Sequence, residues 1–281
     1  MTPYSRPASL PETLFLLAQG QPLLLAGGTD VYPATQAQWL TRPVIDISAV
    51  PELHGITRGP DGLRIGAGTT WAAIAAAALP PACNALQQAA QEVGGRQIQN
   101  AGTIGGNLCN ASPAADGVPP LLVLDAVIEL ASPRGLRRVA LADFLTGPRQ
   151  TLRAADEVMV AVIVPDAALS GASHFVKLGA RAYLVISIAM VAVRLLVVAG
   201  RVQQAALAVG ACSAVARRLP GAEQALLGLA PQETAAAIDA AQVAAALAPL
   251  DDLRATAVYR AEAAAELLRR ALATLAQDHA G

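Results

Sequence analysis

The pattern of hydrophobic and polar positions predicts helices and short strands through the first two thirds of the chain. Ser9 begins the first helix, which runs to about Gln19, because a serine N-cap with proline and glutamate in the next turn is typical of a helix start. The short, fully apolar run Leu23–Ala26 is typical of a buried strand. Further strands are predicted at Val44–Ile47, Leu63–Ala67, Val127–Ala131 and Val158–Val164. Helices are predicted at Thr70–Ala78 and Pro81–Val93.

The pattern changes after residue 166. The segment Asp166–Ser173 is polar and small, and we interpret it as a linker. Strands are predicted beyond it near Phe175–Leu178, Leu184–Val198 and Val202–Val209, followed only by helices, at Ala214–Leu227, Pro231–Ala246 and Thr256–Gln277. We therefore predict two domains, 1–166 (subdomains 1–55 and 56–166) and 174–281.

The apolar run Leu184–Ala199 also resembles a membrane span. It is short for one and carries Arg194 in its second half, which is costly inside a bilayer. Its β-branched residues and the following Ala199-Gly200 favour a β-hairpin instead. We expect no membrane span.

Composition narrows the function classes. The chain has 281 residues, 54% of them hydrophobic and 15% charged, with a net charge of −1. These values exclude a disordered chain and give no basic surface for nucleic acid. The three cysteines are far apart and form no metal-binding spacing, so we expect no metal site here. Their odd number, and an N-terminus without a signal-peptide pattern, favour the cytoplasm.

Two glycine turns carry the candidate chemistry. The first, Ala26–Asp30, follows a buried strand, and its paired glycines are expected to expose backbone N–H groups to a diphosphate. The second, Thr103–Asn107, lies in the irregular stretch Gly94–Pro120, and long irregular segments are often functional. Its paired glycines are likewise expected to expose backbone N–H donors. An ordinary strand-ending turn remains the alternative for the first, because short glycine patterns are weak evidence.

Ser112 and Asp116 follow the second turn. Ser112-Pro113 with Asp116 predicts a helix start, and a helix N-terminus suits a diphosphate. Asp116 repels phosphate, so we expect it to accept from hydroxyls such as those of a ribityl chain. The alternative is that both residues only cap a helix. The sequence contains neither the P-loop pattern nor GxGxxG.

Several motifs in order resemble one family. They are AGGTD at 26–30, TIGGN at 103–107, ASPAAD at 111–116, PPLLVLDA at 119–126, LRIGAGTT at 63–70 and FLTGPRQT at 144–151. Together they resemble the FAD-binding medium subunit of molybdenum hydroxylases, the family of bacterial xanthine dehydrogenase and aerobic carbon monoxide dehydrogenase. The resemblance covers nearly the whole chain.

The resemblance implies an α+β fold: a vanillyl-alcohol-oxidase-type FAD-binding domain of two subdomains, then a smaller C-terminal domain with an antiparallel sheet and helices. It places Met159 beside the flavin and Lys177 near its ring, although an ordinary strand residue and a surface lysine are the alternatives. The implied FAD-binding residues are Leu25, Ala26, Gly27, Gly28, Thr29, Asp30, Thr103, Ile104, Gly105, Gly106, Asn107, Ser112, Asp116, Met159 and Lys177.

The implied role is electron relay, without catalytic residues of its own. In the family a large subunit with molybdopterin acts on the substrate, and a small subunit with [2Fe–2S] clusters passes electrons to FAD. The flavin then reduces NAD, a quinone or oxygen. A stand-alone FAD oxidoreductase and a scaffold without flavin are the alternatives. Cys109 is expected to be a buried thiol, and Tyr183, where the family often has an acidic residue, to shield the flavin or pack under it.

Overall fold

The computed structural model describes residues 3–36, 40–182 and 184–278. The helices are α1 Leu10–Leu17, α2 Val31–Ala34, α3 Trp71–Ala76, α4 Asn84–Glu92, α5 Arg96–Ala101, α6 Ile104–Asn110, α7 Val118–Val123, α8 Leu141–Phe144, α9 Pro220–Leu226, α10 Ala240–Ala246 and α11 Ala257–Asp278. The strands are β1 Tyr4–Ser5, β2 Leu23–Leu25, β3 Val44–Asp46, β4 Ile56–Gly59, β5 Gly62–Gly66, β6 Val127–Ser132, β7 Gly135–Ala140, β8 Leu145–Gly147, β9 Gln150–Thr151, β10 Val158–Val164, β11 Ala172–Leu178, β12 Ala189–Val198, β13 Arg201–Gly210 and β14 Arg217–Arg218.

A small parallel sheet of order β1-β3-β2 forms the N-terminal part. Helix α1 leads into it and begins as predicted, since Ser9 accepts a hydrogen bond from the Glu12 N–H. Strand β2 ends at the buried Leu25, and the first glycine turn follows directly. The position of that turn is therefore fixed by the strand before it.

The second sheet is antiparallel, with five strands in the order β4-β5-β10-β6-β7. Its central strand β10 is buried along its whole length. Val158 and Val160 face a small core shared with α1 and β3, whereas Met159, Val162 and Val164 face the main core. A register shift between Met159 and Ala161 accompanies this change of side.

The third sheet, of order β11-β12-β13-β14, is covered on both faces. Val191, Val193 and Leu195 pack in a core with residues of α11, including Leu268. Met190 and Ala192 point to the opposite side and join the main core with α4 and α7. Burial on both faces explains why the sequence of β12 is an almost unbroken apolar run.

Arg194 interrupts that run and is nearly fully buried. Its Nε donates to the carbonyl of Val123 at 2.8 Å, at the C-terminal end of α7. A cation at a helix C-terminus is favourable. The run is thus a strand of a hairpin, as predicted, and within the described residues no helix is long and apolar enough to cross a membrane.

Most predicted elements are present, with several corrections. Strand β12 begins at Ala189, not Leu184, and the predicted linker already contains the start of β11 at Ala172. Helices α9 and α10 are shorter than predicted, whereas α11 has the predicted length. The edge strands β4 and β7 were not predicted from the sequence. Strand β7 in particular is exposed and rich in arginine, so it has no apolar pattern. The division into 1–166 and 174–281 stays a prediction.

The largest correction concerns the stretch 94–120, which we expected to be irregular. It contains α5, α6 and the start of α7. Ser112 does not begin a helix; its hydroxyl accepts from the Ala114 N–H within a turn, and α7 starts only at Val118. Two glycines within α6 hid this helix from the sequence pattern, because glycine is unfavourable in a helix interior.

Candidate functional site

A cleft of about 720 Å³ brings the two glycine turns together. Its wall includes residues from both turns, from the end of β10 and from the segment 184–186 before β12. The volume lies in the usual range for small-molecule and cofactor pockets, about 300–1,000 Å³.

The first glycine turn offers free donors. The backbone N–H groups of Gly27, Gly28, Thr29 and Asp30 donate to no acceptor within the described part of the chain. Gly28 has φ +70°, a backbone conformation that glycine adopts without strain. Consecutive unpaired N–H groups in a turn form an anion site.

Residue 27 is a glycine because of close packing and not, like Gly28, because of its backbone conformation. A Cβ built there would lie 1.8 Å from the carbonyl oxygen of Ala101, at the end of α5. The missing side chain lets the turn pack against that helix end, which sets its position on the cleft wall. It does not serve primarily to admit a ligand.

The second glycine turn is the N-terminus of α6, and its backbone donors are already used. Ile104 donates to Thr69 O at 3.0 Å, and Gly105 donates to Ala67 O at 2.8 Å. Gly106 donates to the Thr103 side chain at 3.0 Å, and Asn107 donates to Thr103 O at 3.0 Å. The expectation that this turn exposes free N–H groups is therefore wrong.

Side chains are what the second turn has left to offer. The Asn107 Oδ1 is buried and has no hydrogen-bond partner among the described residues. Asn107 lines the cleft. An unpaired buried acceptor is unfavourable unless a donor reaches it, and a sugar hydroxyl is such a donor.

Asp116 lies on the cleft wall, and both of its oxygens have protein partners. Lys177 Nζ donates to Oδ2 at 2.7 Å, and the Ser187 hydroxyl donates to Oδ1 at 2.6 Å. Burial raises the pKa of Asp116 above its ordinary value, against the opposing charge of Lys177. Each carboxylate oxygen can accept more than one bond, so Asp116 can still accept from a ligand hydroxyl.

Three cleft residues form a second polar group. The Asn110 Nδ2 donates to Asp30 Oδ1 at 2.7 Å, and the Arg149 guanidinium donates to Asn110 Oδ1. Arg149 also donates to the Asn110 carbonyl at 3.3 Å. Sequence analysis missed Asn110 and Arg149 as site residues, although Arg149 lies inside the FLTGPRQT motif and Asn110 directly precedes ASPAAD.

The remaining lining is largely apolar. Met159 lines the cleft and is buried, and Ile98, Leu184 and Ile186 line it with 37%, 59% and 60% of their surface exposed. Tyr183, for which we expected a shielding or packing role, lies outside the described residues. Cys109 lines the cleft, and burial raises the pKa of its thiol to about 11, so it is protonated at neutral pH.

The structure brings most of the predicted site residues to the cleft. The exceptions are Leu25, Ile104 and Lys177, which are absent from its described wall. Leu25 and Ile104 are core residues. The Lys177 side chain is 4% exposed and bonds to Asp116 behind the wall.

No group of three or more histidine, cysteine, aspartate or glutamate side chains in the described part of the chain could hold a metal ion. Residues 1–167 match the family model described as "FAD binding domain in molybdopterin dehydrogenase". Residues 174–275 match the model described as "CO dehydrogenase flavoprotein C-terminal domain". The chain belongs to the FAD-binding medium subunits of the xanthine and carbon monoxide dehydrogenase family.

Relatives of this flavoprotein family agree along the chain. The xanthine dehydrogenase FAD-binding subunit of Escherichia coli O157:H7 is 40% identical over 182 residues, which is 61% of this chain and 61% of that subunit. The match thus spans less than two thirds of the relative's length. The nicotine 6-hydroxylase medium subunit of Paenarthrobacter nicotinovorans is 32% identical over 96% of this chain and 95% of that one.

A solved structure of a family member confirms the fold. A chain of carbon monoxide dehydrogenase from Hydrogenophaga pseudoflava superposes with a TM-score of 0.87 at 31% identity, covering 99% of this chain and 97% of that one. The predicted α+β fold, an FAD-binding part followed by a smaller part with an antiparallel sheet and helices, is confirmed.

Proposed function

We propose that this chain binds FAD in the cleft and relays electrons as one subunit of an oxidoreductase of the molybdenum hydroxylase type. The observation that carries the proposal is the run of four unpaired N–H groups from Gly27 to Asp30, residues that line a cleft with a large apolar lining. A dinucleotide flavin carries both a diphosphate and an apolar ring. The cleft offers complementary groups for each.

The side chains of the cleft support the same ligand. The hydroxyls of Thr29, Thr103 and Ser112 line the cleft and can donate to phosphate oxygens. Asn107 Oδ1 and Asp116 are acceptors and suit the ribityl hydroxyls. Met159 suits the apolar ring. When bound, FAD supplies the redox chemistry, and the chain binds it, orients it and excludes water.

We propose that the metal chemistry lies in partner subunits. Relatives carry names such as medium subunit, which supports an assembly with larger and smaller partners. We infer a molybdopterin-binding large subunit and a [2Fe–2S] small subunit that delivers electrons to this chain, with NAD, a quinone or oxygen as external acceptor. The three cysteines are free thiols, which supports a reducing compartment, the cytoplasm.

The first test is the visible spectrum of the purified chain, with the released chromophore identified by mass. We expect about one FAD per chain. The FAD-depleted chain should then take up FAD, and ADP should compete with FAD for binding. FMN, which lacks the diphosphate bridge to adenosine, should bind far more weakly. Equal affinities for FAD and FMN would contradict the proposal that the first glycine turn binds the diphosphate.

Two outcomes would favour the alternatives. A chain that stays colourless after incubation with FAD would indicate a scaffold that has the fold without the flavin. A yellow chain that purifies from its native host without molybdenum or iron would favour a stand-alone FAD oxidoreductase. Metal analysis of the complex pulled down by a tagged chain distinguishes this case from the relay.

A further inference from the structure

The cleft contains a bridge of three side chains that join separate elements. Asp30 belongs to the first glycine turn, Asn110 is the last residue of α6, and Arg149 lies in the turn between β8 and β9. Asn110 uses both halves of its amide: its NH₂ donates to Asp30 at 2.7 Å, and its oxygen accepts from Arg149. We call these three residues the Asn110 bridge.

The bridge lies on the solvent side of the cleft. All three residues line the cleft, Asp30 and Arg149 are exposed, and Asn110 is half-buried. The bridge therefore ties the turn that carries the unpaired N–H groups to elements about 80 and 120 residues further along the chain, in keeping with the usual role of long-range polar pairs in fixing loops. Asp30 forms no side-chain bond to its own helix α2, so its carboxylate is directed to Asn110 instead.

The Asn110 bridge also affects the electrostatics of the first glycine turn. A free carboxylate two residues beyond the glycine pair would repel a diphosphate held by those N–H groups. Asn110 donates to that carboxylate, and Arg149, which donates to the same amide, adds a positive charge to the bridge. The bridge thus keeps the turn compatible with an anion.

The backbone of Arg149 supports a role for its side chain. Arg149 has φ +61°, in the left-handed region where a glycine would be unstrained. Its N–H donates to the Ala111 carbonyl at 2.8 Å, which holds the turn against the end of α6. A strained residue that persists in a cleft is often one whose side chain is used.

We propose that Asn110 is a positioning residue that fastens the first glycine turn across the cleft, through Asp30 and Arg149, and so slows the release of bound FAD. This inference rests on the proposed FAD-binding function. Exposed polar pairs contribute little to the stability of a fold, so the effect should appear in FAD retention and not in the stability of the FAD-free chain.

The test is the rate at which FAD leaves the full-length chain, followed by flavin fluorescence after dilution into excess ADP. Asn110→Ala should release FAD about tenfold faster, which corresponds to one lost hydrogen bond to a charged group. The melting temperature of the FAD-free chain should be unchanged. Asn84→Ala, at an exposed asparagine that does not line the cleft, is the matched control and should change neither value.

Further variants separate the bridge from a general structural effect. Asp30→Asn keeps an acceptor for Asn110 and should retain most of the slow release, whereas Asp30→Ala should lose it. Arg149→Gly relieves the left-handed backbone, so the FAD-free chain should melt at the same or a higher temperature while FAD leaves faster. Arg134→Ala removes another exposed arginine, paired with Asp156 away from the cleft, and should leave FAD release unchanged.

The decisive combination is Asn110→Ala with Arg149→Ala. If the bridge acts as one unit, the double variant releases FAD no faster than Asn110→Ala alone. Additive effects, or an unchanged release rate in Asn110→Ala, would overturn the inference while leaving the proposed function intact. If the parent chain takes up no FAD at all, the proposed function fails, and the inference fails with it.

Discussion

The two glycine turns have similar sequences, each with a pair of glycines near a threonine. Their backbone N–H groups nevertheless differ in whether they are hydrogen-bonded within the protein. In the first turn the N–H groups of residues 27–30 have no acceptor in the described chain, and in the second those of 104–107 all have one. A glycine pair therefore does not reveal whether donors are free. The structure around the turn decides, because buried backbone groups must be paired or left for a ligand.

The glycines themselves differ in the same way. Gly27 and Gly105 leave room for neighbouring protein backbone, at Ala101 and Ala67. A Cβ at Gly106 would meet only the Thr103 hydroxyl, at 2.9 Å. The first turn thus has unpaired backbone donors to offer a ligand, and the second positions side chains from the start of a helix.

The largest expected effect comes from Gly27→Ala. Its Cβ would fall 1.8 Å from the Ala101 oxygen, so the turn must move away from α5. We expect the free energy of unfolding to fall by about 3 kcal/mol or more, measured by urea denaturation. Gly106→Ala should stay within about 1 kcal/mol of the parent, because a gain in helix propensity offsets the strained cap. Equal losses in the two variants would contradict the distinction.

Hydrogen exchange reports the donors directly. In the FAD-free chain the N–H groups of residues 27–30 should exchange rapidly, and those of 104–107 slowly, because only the latter are hydrogen-bonded. FAD at about a hundredfold its dissociation constant should slow the first group by up to about a hundredfold. The second group should change little. Protection that appears mainly at 104–107 would place the diphosphate at the other turn.

Asn107→Ala separates binding from stability at the second turn. The substitution removes a buried acceptor that has no partner in the described chain, so the FAD-free chain should unfold at nearly the same urea concentration as the parent. FAD affinity should fall about tenfold, measured by fluorescence titration. A loss of stability with unchanged affinity would make Asn107 a structural residue only.

The smallest expected effects come from the two threonines. Thr103 caps α6, and Thr103→Val should lower the free energy of unfolding by about 1 kcal/mol. Thr29 makes no such cap, so Thr29→Val should change stability by less than about 0.5 kcal/mol. Both variants should bind FAD more weakly, since both hydroxyls line the cleft. A stability loss at position 29 equal to that at 103 would contradict the contrast.

The sequence predicted the elements that are buried or clearly capped. Helix α1, strand β10 and the hairpin β12–β13 match because the Ser9 cap and the continuous apolar runs are local signals. Strand β7 was missed because its partner β6, and not its own polar sequence, makes it a strand. Helix α6 was missed because its two glycines disfavour a helix unless tertiary packing compensates.

The site was predicted in its location more than in its chemistry. The family resemblance assigned Ala26–Asp30 and Thr103–Asn107 to one cofactor, and both turns line one cleft. Whether an N–H group is free depends on partners distant in sequence, such as Thr69 and Ala67. The Asn110 bridge was not visible for the same reason. Its three residues lie on separate elements that come together only in the folded chain, so no local sequence pattern predicts their contact.

The packing of α11 on the third sheet has a consequence for how this part of the chain folds during synthesis. Strands β11–β13 are complete at Gly210, but α11, which packs on one face of them, begins only at Ala257. At about 5–20 residues per second, the ribosome needs several seconds to supply that helix. During this interval the apolar face of β11 and β12 that packs against α11 lacks that helix. Chaperone binding to nascent chains should therefore be strongest in this window and end when α11 emerges.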